Sequence, residues 1–174
     1  MLTALYILLV QGALGTFDTL YYHEYKLRLP SEPHAANELR IHALRDFAYA
    51  VLFGTIGWIT WNGLCSYLFL ALLLTEIVLT LSDFLEEDRT RKLPPGERVM
   101  HAVMGIVYGF FLAYLLPRVF EWMRMPTGFG RVSFGPLSLL LSLMACGVLL
   151  SGIRDLVSST RKQEWPSQRL PGKA

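Results

Sequence analysis

Residues 64–84 read LCSYLFLALLLTEIVLTLSDF. The stretch is long enough to cross a hydrocarbon core as a helix. It is almost continuously apolar, yet it carries Glu76 near its middle and Asp83 at its end. Four more stretches of this kind lie on either side, at 2–22, 43–61, 99–116 and 132–153. Backbone surrounded by lipid must satisfy its hydrogen bonds within its own segment, so each stretch is expected to be helical. The predicted fold is therefore all-α: a polytopic integral membrane protein, a bundle of five transmembrane helices. It forms one domain over 1–162, followed by a disordered cytoplasmic tail at 163–174.

Composition agrees with that reading. Of 174 residues, 53% are hydrophobic, and the mean hydropathy is +0.39. The net charge of +2 is too small to suggest nucleic acid as a partner. The opening run MLTALYILLV has no base before Lys26, so it reads as an uncleaved first helix and not as a signal peptide. Bases gather in alternate connections. Lys26, Arg28, Arg40 and Arg45 lie around the first, Arg89, Arg91, Lys92 and Arg98 around the third, and Arg154, Arg161, Lys162, Arg169 and Lys173 in or near the tail. Across the bundle, only Arg118, Arg124 and Arg131 appear in the fourth connection. The positive-inside rule then predicts the N-terminus outside and the C-terminus in the cytoplasm of a plasma- or inner-membrane-type bilayer. Cys65 and Cys146 fall inside apolar spans, with no disulfide or thiolate-metal spacing, and are expected as buried free thiols.

His34, Glu38, His42 and Asp46 recur at four-residue intervals where the chain enters its second span. That spacing stacks side chains on one helical face. Ser31, ahead of Pro33, is a candidate cap that would start this helix near Glu32. Other spans bring ionisable residues towards the same predicted membrane face: Asp18, His23 and Glu24 from the first, and Glu76, Thr80, Asp83 and Glu87 at 4-3-4 spacing from the third. The fourth begins with Glu97 and His101, and the fifth ends in Arg154 and Asp155. The charged connection 85–97 reads as a solvated loop, and 118–131, with Trp122, as an interfacial segment. For Asp83 and Glu87 alone, solvation is the simpler reading, and Glu97 suits the dipole of its helix's first turn.

Imidazole and carboxylate together suit first-row divalent ions. Di-iron bundles use Glu-x-x-His pairs from two helices with single carboxylates from two others. Here the pairs are Glu38-x-x-x-His42 and Glu97-x-x-x-His101, one residue longer, so chelation is feasible but membership of that family does not follow. Four histidines are too few for the histidine boxes of membrane desaturases and hydroxylases, and neither His-Glu-x-x-His nor Gly-x-Ser-x-Gly occurs.

The expected metal ligands are Glu38, His42, Glu76, Glu97, His101, Asp18, Glu24 and His23. Asp46, Asp83 and Asp155 would orient imidazoles or relay protons, while Arg45 and Arg154 would hold an anionic headgroup. The expected cofactor is divalent iron, manganese or zinc, ahead of a histidine-ligated haem between His42 and His101. The function expected is a metal-dependent oxidoreductase or hydrolase acting on a lipid, quinone or other hydrophobic substrate at the cytoplasmic leaflet. The competing reading is a non-enzymatic accessory subunit that docks a protein partner through its charged face. A carrier ranks lower, for want of an inverted repeat. Gly12, Gly15, Gly105, Gly109, Gly147 and Gly152 are expected at close helix contacts, including those of a homo-oligomer.

Overall fold

The structure, a computed structural model, describes residues 1–32 and 35–164, the side chains of 162–164 excepted. His34 and the chain from residue 165 onwards lie outside the described residues. Five helices alternate in direction: α1 (Leu2–Phe17), α2 (Ala36–Ile56), α3 (Cys65–Thr90), α4 (Pro95–Met123) and α5 (Pro136–Glu164). α5 therefore runs through residues 163 and 164, where a disordered tail was expected to begin.

Among the described residues, four segments are long and apolar enough to cross a membrane: Leu2–Lys26, Cys65–Thr90, Pro95–Met123 and Pro136–Arg161. The count of five is not reached, because α2 carries Glu38, Arg40, Arg45 and Asp46 along its first half. α2 nevertheless packs extensively on α5 and on α3. Apolar residues also point outward, among them Leu74 and Leu81 on α3, Phe110 on α4 and Leu143 and Leu150 on α5. An apolar exterior on long apolar helices suits a lipid surround. Cys146 is exposed on that exterior and Cys65 half-buried, so both thiols are free but neither is enclosed as expected.

At one end of the bundle the α2–α3 and α4–α5 connections pair as a ribbon, β1 (Ile59–Asn62) with β2 (Gly128–Arg131). Its antiparallel register sets Ile59 opposite Arg131 and Asn62 opposite Gly128. A tight turn and an interfacial segment were expected here. The ribbon also keeps backbone polar groups paired where the chain leaves its helices. Gly63 follows β1 with φ +55°, its amide donating to the Trp122 carbonyl. A Cβ there would lie 2.6 Å from the Thr127 Cα. Gly63→Ala combines left-handed strain of about 1–2 kcal/mol with a backbone clash. It is expected to lower thermal stability measurably in mild detergent while leaving the opposite end of the bundle intact.

At that opposite end, α1 continues as a π-helical segment, Asp18–Lys26, which closes with the Leu27 amide on the Tyr22 carbonyl at 2.8 Å. A short 3₁₀ turn, Leu29–Ser31, precedes α2. Ser31 thus ends a turn and does not cap α2, which begins four residues later than expected and without a side-chain cap. α3 runs as helix through Thr90 and α4 begins at Pro95, so of the expected loop 85–97 only 91–94 lie outside a helix. Pro95 opens α4, where a missing amide costs nothing.

Candidate metal centre

The π segment decides what α1 contributes. In an α-helix, residues five apart point about 140° away from each other. With i→i+5 bonding they come onto one face. Asp18 and His23 are both buried, and His23 Nε2 lies 3.5 Å from Asp18 Oδ2. α2 brings Glu38 and His42 by their i, i+4 spacing, and the His42 ring stacks on that of His23 at 4.6 Å and 8°. α3 supplies Asp83 and Glu87, α4 supplies Glu97 and His101, and α5 supplies Asp155. All are buried.

Among the described residues, two sets bring donor atoms close enough together to suit an ion. His23, Glu87, Glu97 and His101 offer ligand atoms that all lie within 4.8 Å of one another, and so do Glu38, His42 and Glu87. Glu87 belongs to both. Its Oε2 stands 3.4 Å from His101 Nδ1, and His101 Nε2 is 3.4 Å from Asp18 Oδ2. His42 has Asp83 on its Nε2 side at 3.1 Å and Asp155 on its Nδ1 side at 3.9 Å. Despite this crowding, Asp18 Oδ1, His23 Nε2 and Glu87 Oε2 are buried without a hydrogen-bond partner, while His42 Nε2 and Asp83 Oδ1 have only each other, at 3.1 Å. Unpaired buried polar atoms are rare, and here they converge.

Arg91, just beyond α3, closes the cluster from the connection side. Its guanidinium donates to Glu38 Oε1 at 3.0 Å, Glu87 Oε1 at 3.0 Å and Glu97 Oε1 at 2.7 Å. Burial disfavours its charge, but hydrogen bonds to Glu97 and Glu38 outweigh that and raise its pKa above the usual arginine value. Arg45 Nη1 donates to Asp83 Oδ2 at 2.6 Å. Arg154 pairs with Asp155 at 2.7 Å and also with Glu24. The buried Asp18, Glu38, Asp83, Glu87, Glu97 and Asp155 thus face three guanidiniums, an excess of enclosed carboxyl groups. Burying ionised carboxylates without compensation is prohibitive, so protons or cations must balance them.

The expected ligand set is therefore brought together in part. Glu38, His42, Glu97, His101 and His23 fall within the two ion-holding groups, with Asp18 alongside. Glu24 is drawn off to Arg154. Glu76 stands two helical turns deeper than Asp83, away from both groups. Asp46 interacts with Ser151 of α5 and with Arg45. Asp83 and Asp155 flank His42. Arg45 and Arg154 make ion pairs within the protein. Glu87 and Arg91, read from sequence as solvated, are central. Their signal was present in the continued i, i+4 series Asp83, Glu87, Arg91.

A cavity of about 890 Å³ meets this cluster at Asp18, Arg45 and His101 and runs into the bundle among all five helices. Its lining is mostly apolar, and exposed Leu20, Leu81, Leu143 and Leu150 form part of its rim. Gly15, Gly105, Gly109 and Gly147 face it with no atom within 4 Å of where a Cβ would stand. Within the chain, these four do not make the close helix contacts expected of them. Gly12, against Met144 and Phe53, and Gly152, against Asp46 and Phe47, do.

The fold and the cluster together define a helical bundle with four candidate membrane spans and a buried histidine–carboxylate centre. No family model, characterised protein or solved structure matches the chain.

Proposed function

We propose that the protein is a metal-dependent membrane enzyme in which two divalent cations, sharing Glu87, act on a hydrophobic substrate held in the cavity. The observation that carries this reading is that Asp18 and His101 belong both to the cluster and to the cavity wall. A ligand lying in the cavity reaches the metal donors without crossing water. The excess of buried carboxylates over guanidiniums supports divalent ions, and mixed nitrogen and oxygen donors favour iron, manganese or zinc. α2 completes a five-crossing bundle, with the cluster at the cytoplasmic leaflet according to the distribution of basic loops.

In this reading His42 and Glu38 hold one ion, and His23, Glu97 and His101 hold the other. Asp83 and Asp155 orient His42, and Arg91 keeps Glu38, Glu87 and Glu97 in place. Paired cations of this kind supply an activated water for hydrolysis or a binding position for oxygen in an oxidation. Arg154, part-exposed on the cavity wall, suits an anionic lipid headgroup, whereas Arg45 is engaged by Asp83.

Metal content of protein purified in mild detergent, without chelator or affinity histidines, tests the proposal. Wild type is expected to hold iron, manganese or zinc at close to two equivalents per chain, and His42→Ala/His101→Ala to hold almost none while eluting as a folded species. Well-folded wild type that takes up no metal after incubation with each of the three ions overturns it.

A further inference from the structure

Gln11, Tyr49, Glu76 and Tyr108 each stand seven residues from a member of the cluster: Asp18, His42, Asp83 and His101 respectively. Seven residues are about two helical turns, roughly 10 Å of rise. All four line the cavity, so a second polar layer crosses the bundle deeper than the first. Within it, Thr80 Oγ1 donates to Glu76 Oε1 at 2.8 Å. Tyr49 lies within hydrogen-bonding reach of Glu76 and Gln11, and Tyr108 of Glu76, the two rings edge-to-face at 6.2 Å. Glu76 Oε2, Gln11 Oε1 and the Tyr108 hydroxyl are nonetheless buried with no geometrically formed hydrogen bond. Two of these three atoms are obligate acceptors when Glu76 is ionised. They come from different helices, in a wall that is otherwise largely hydrocarbon.

We propose that this layer binds the hydroxyl group of a membrane-soluble alcohol or phenol, which donates its one proton to Glu76 and accepts from the Tyr108 hydroxyl. The hydrocarbon body then runs back along the glycine-lined passage towards Asp18 and His101. The inference deepens the reading of the cavity as a substrate pocket and rests on it. An anionic group does not suit the layer, because Glu76 is already there and Arg45 is engaged by Asp83. A neutral hydroxyl, donating once and accepting once, serves Glu76 and Tyr108 without bringing a second charge out of water, which an ammonium would require. Gly105 and Gly109 on α4 and Gly147 on α5 set the width of the passage, since any side chain there would enter it.

The test uses the full chain in lipid nanodiscs and a twelve-carbon alcohol that carries a photoreactive diazirine in mid-chain, with crosslinked residues mapped by mass spectrometry. Labelling is expected on cavity residues such as Leu112 and Met144, competed by unlabelled dodecanol and about tenfold less well by its methyl ether. Glu76→Leu and the isosteric Glu76→Gln should both reduce labelling, and Gly109→Leu, which fills open space, should abolish it. Equal competition by the ether, stronger competition by dodecylamine, unchanged labelling in both Glu76 variants, or adducts confined to outward-facing Leu74 and Phe110 would each overturn the proposal. Metal content is measured on the same samples, and labelling is repeated in chelator. Hydroxyl-selective labelling without any metal sinks the enzyme reading alone; full metal content without hydroxyl selectivity sinks this inference alone.

Discussion

Replacing Glu87 with alanine is expected to empty both cation positions at once, whereas His42→Ala empties one and leaves the other substantially filled. The difference follows from geometry, since Glu87 is common to the two groups of donors and His42 belongs to one of them. A carboxylate bridging two ions neutralises part of the charge of each, and its removal weakens both sites together. Metal content should fall from about two equivalents to well under one in Glu87→Ala, and to about one in His42→Ala. Because bound metal stabilises the folded state by mass action, thermal unfolding in the presence of metal should follow the same order. Glu87→Gln, which keeps the shape and loses the charge, separates packing from coordination. A single mononuclear site would instead make His42→Ala or His101→Ala leave metal untouched, and full occupancy in Glu87→Ala would remove the shared-ligand arrangement.

The helical bundle was legible because span length and backbone satisfaction in lipid leave few alternatives, and both can be counted along the chain. The donors on α2 and α4 were legible for a similar reason: an i, i+4 pair at a helix start has one face to occupy, and Glu38–His42 and Glu97–His101 occupy it. Other features escaped. His23 was counted as a donor, but its convergence with Asp18 depends on i→i+5 bonding, for which sequence periodicity offers no signal. Glu87 and Arg91 sit in a run of charges that looks solvated; only the docking of α2 and α4 over the end of α3 encloses them. Glu76 is the opposite case. Its place in an apolar span marked it as functional, yet the 4-3-4 series that linked it to Asp83 also set it two turns away. The glycines divide between contact and cavity by which face meets a neighbour, and the chain alone does not fix that. The ribbon of β1 and β2 joins connections far apart in sequence, so no local pattern announces it.

Arg91→Met is expected to destabilise the metal-free protein severely and the metal-loaded protein much less. In chelator, Arg91 is the hydrogen-bonding cation for three carboxylates, Glu38, Glu87 and Glu97, each almost fully enclosed. Removing one partner of a buried ion pair commonly costs about 3–5 kcal/mol, because the charge left behind is neither solvated nor paired. Methionine keeps the stem's packing, so the loss reports charge and hydrogen bonds and not a hole. Divalent cations supply positive charge to the same carboxylates, and without the guanidinium they no longer share that charge with a competing cation. The thermal shift on adding metal should therefore be larger in Arg91→Met than in wild type, since stabilisation grows with the ratio of ligand concentration to Kd. Unfolding followed by circular dichroism, with chelator and with each of iron, manganese and zinc, measures both quantities. Equal destabilisation in chelator and in metal would make Arg91 a structural clamp unconnected with cation binding. A variant as stable as wild type in chelator would mean that the three glutamates are protonated in the metal-free state, and that a proton, not Arg91, balances them until an ion arrives.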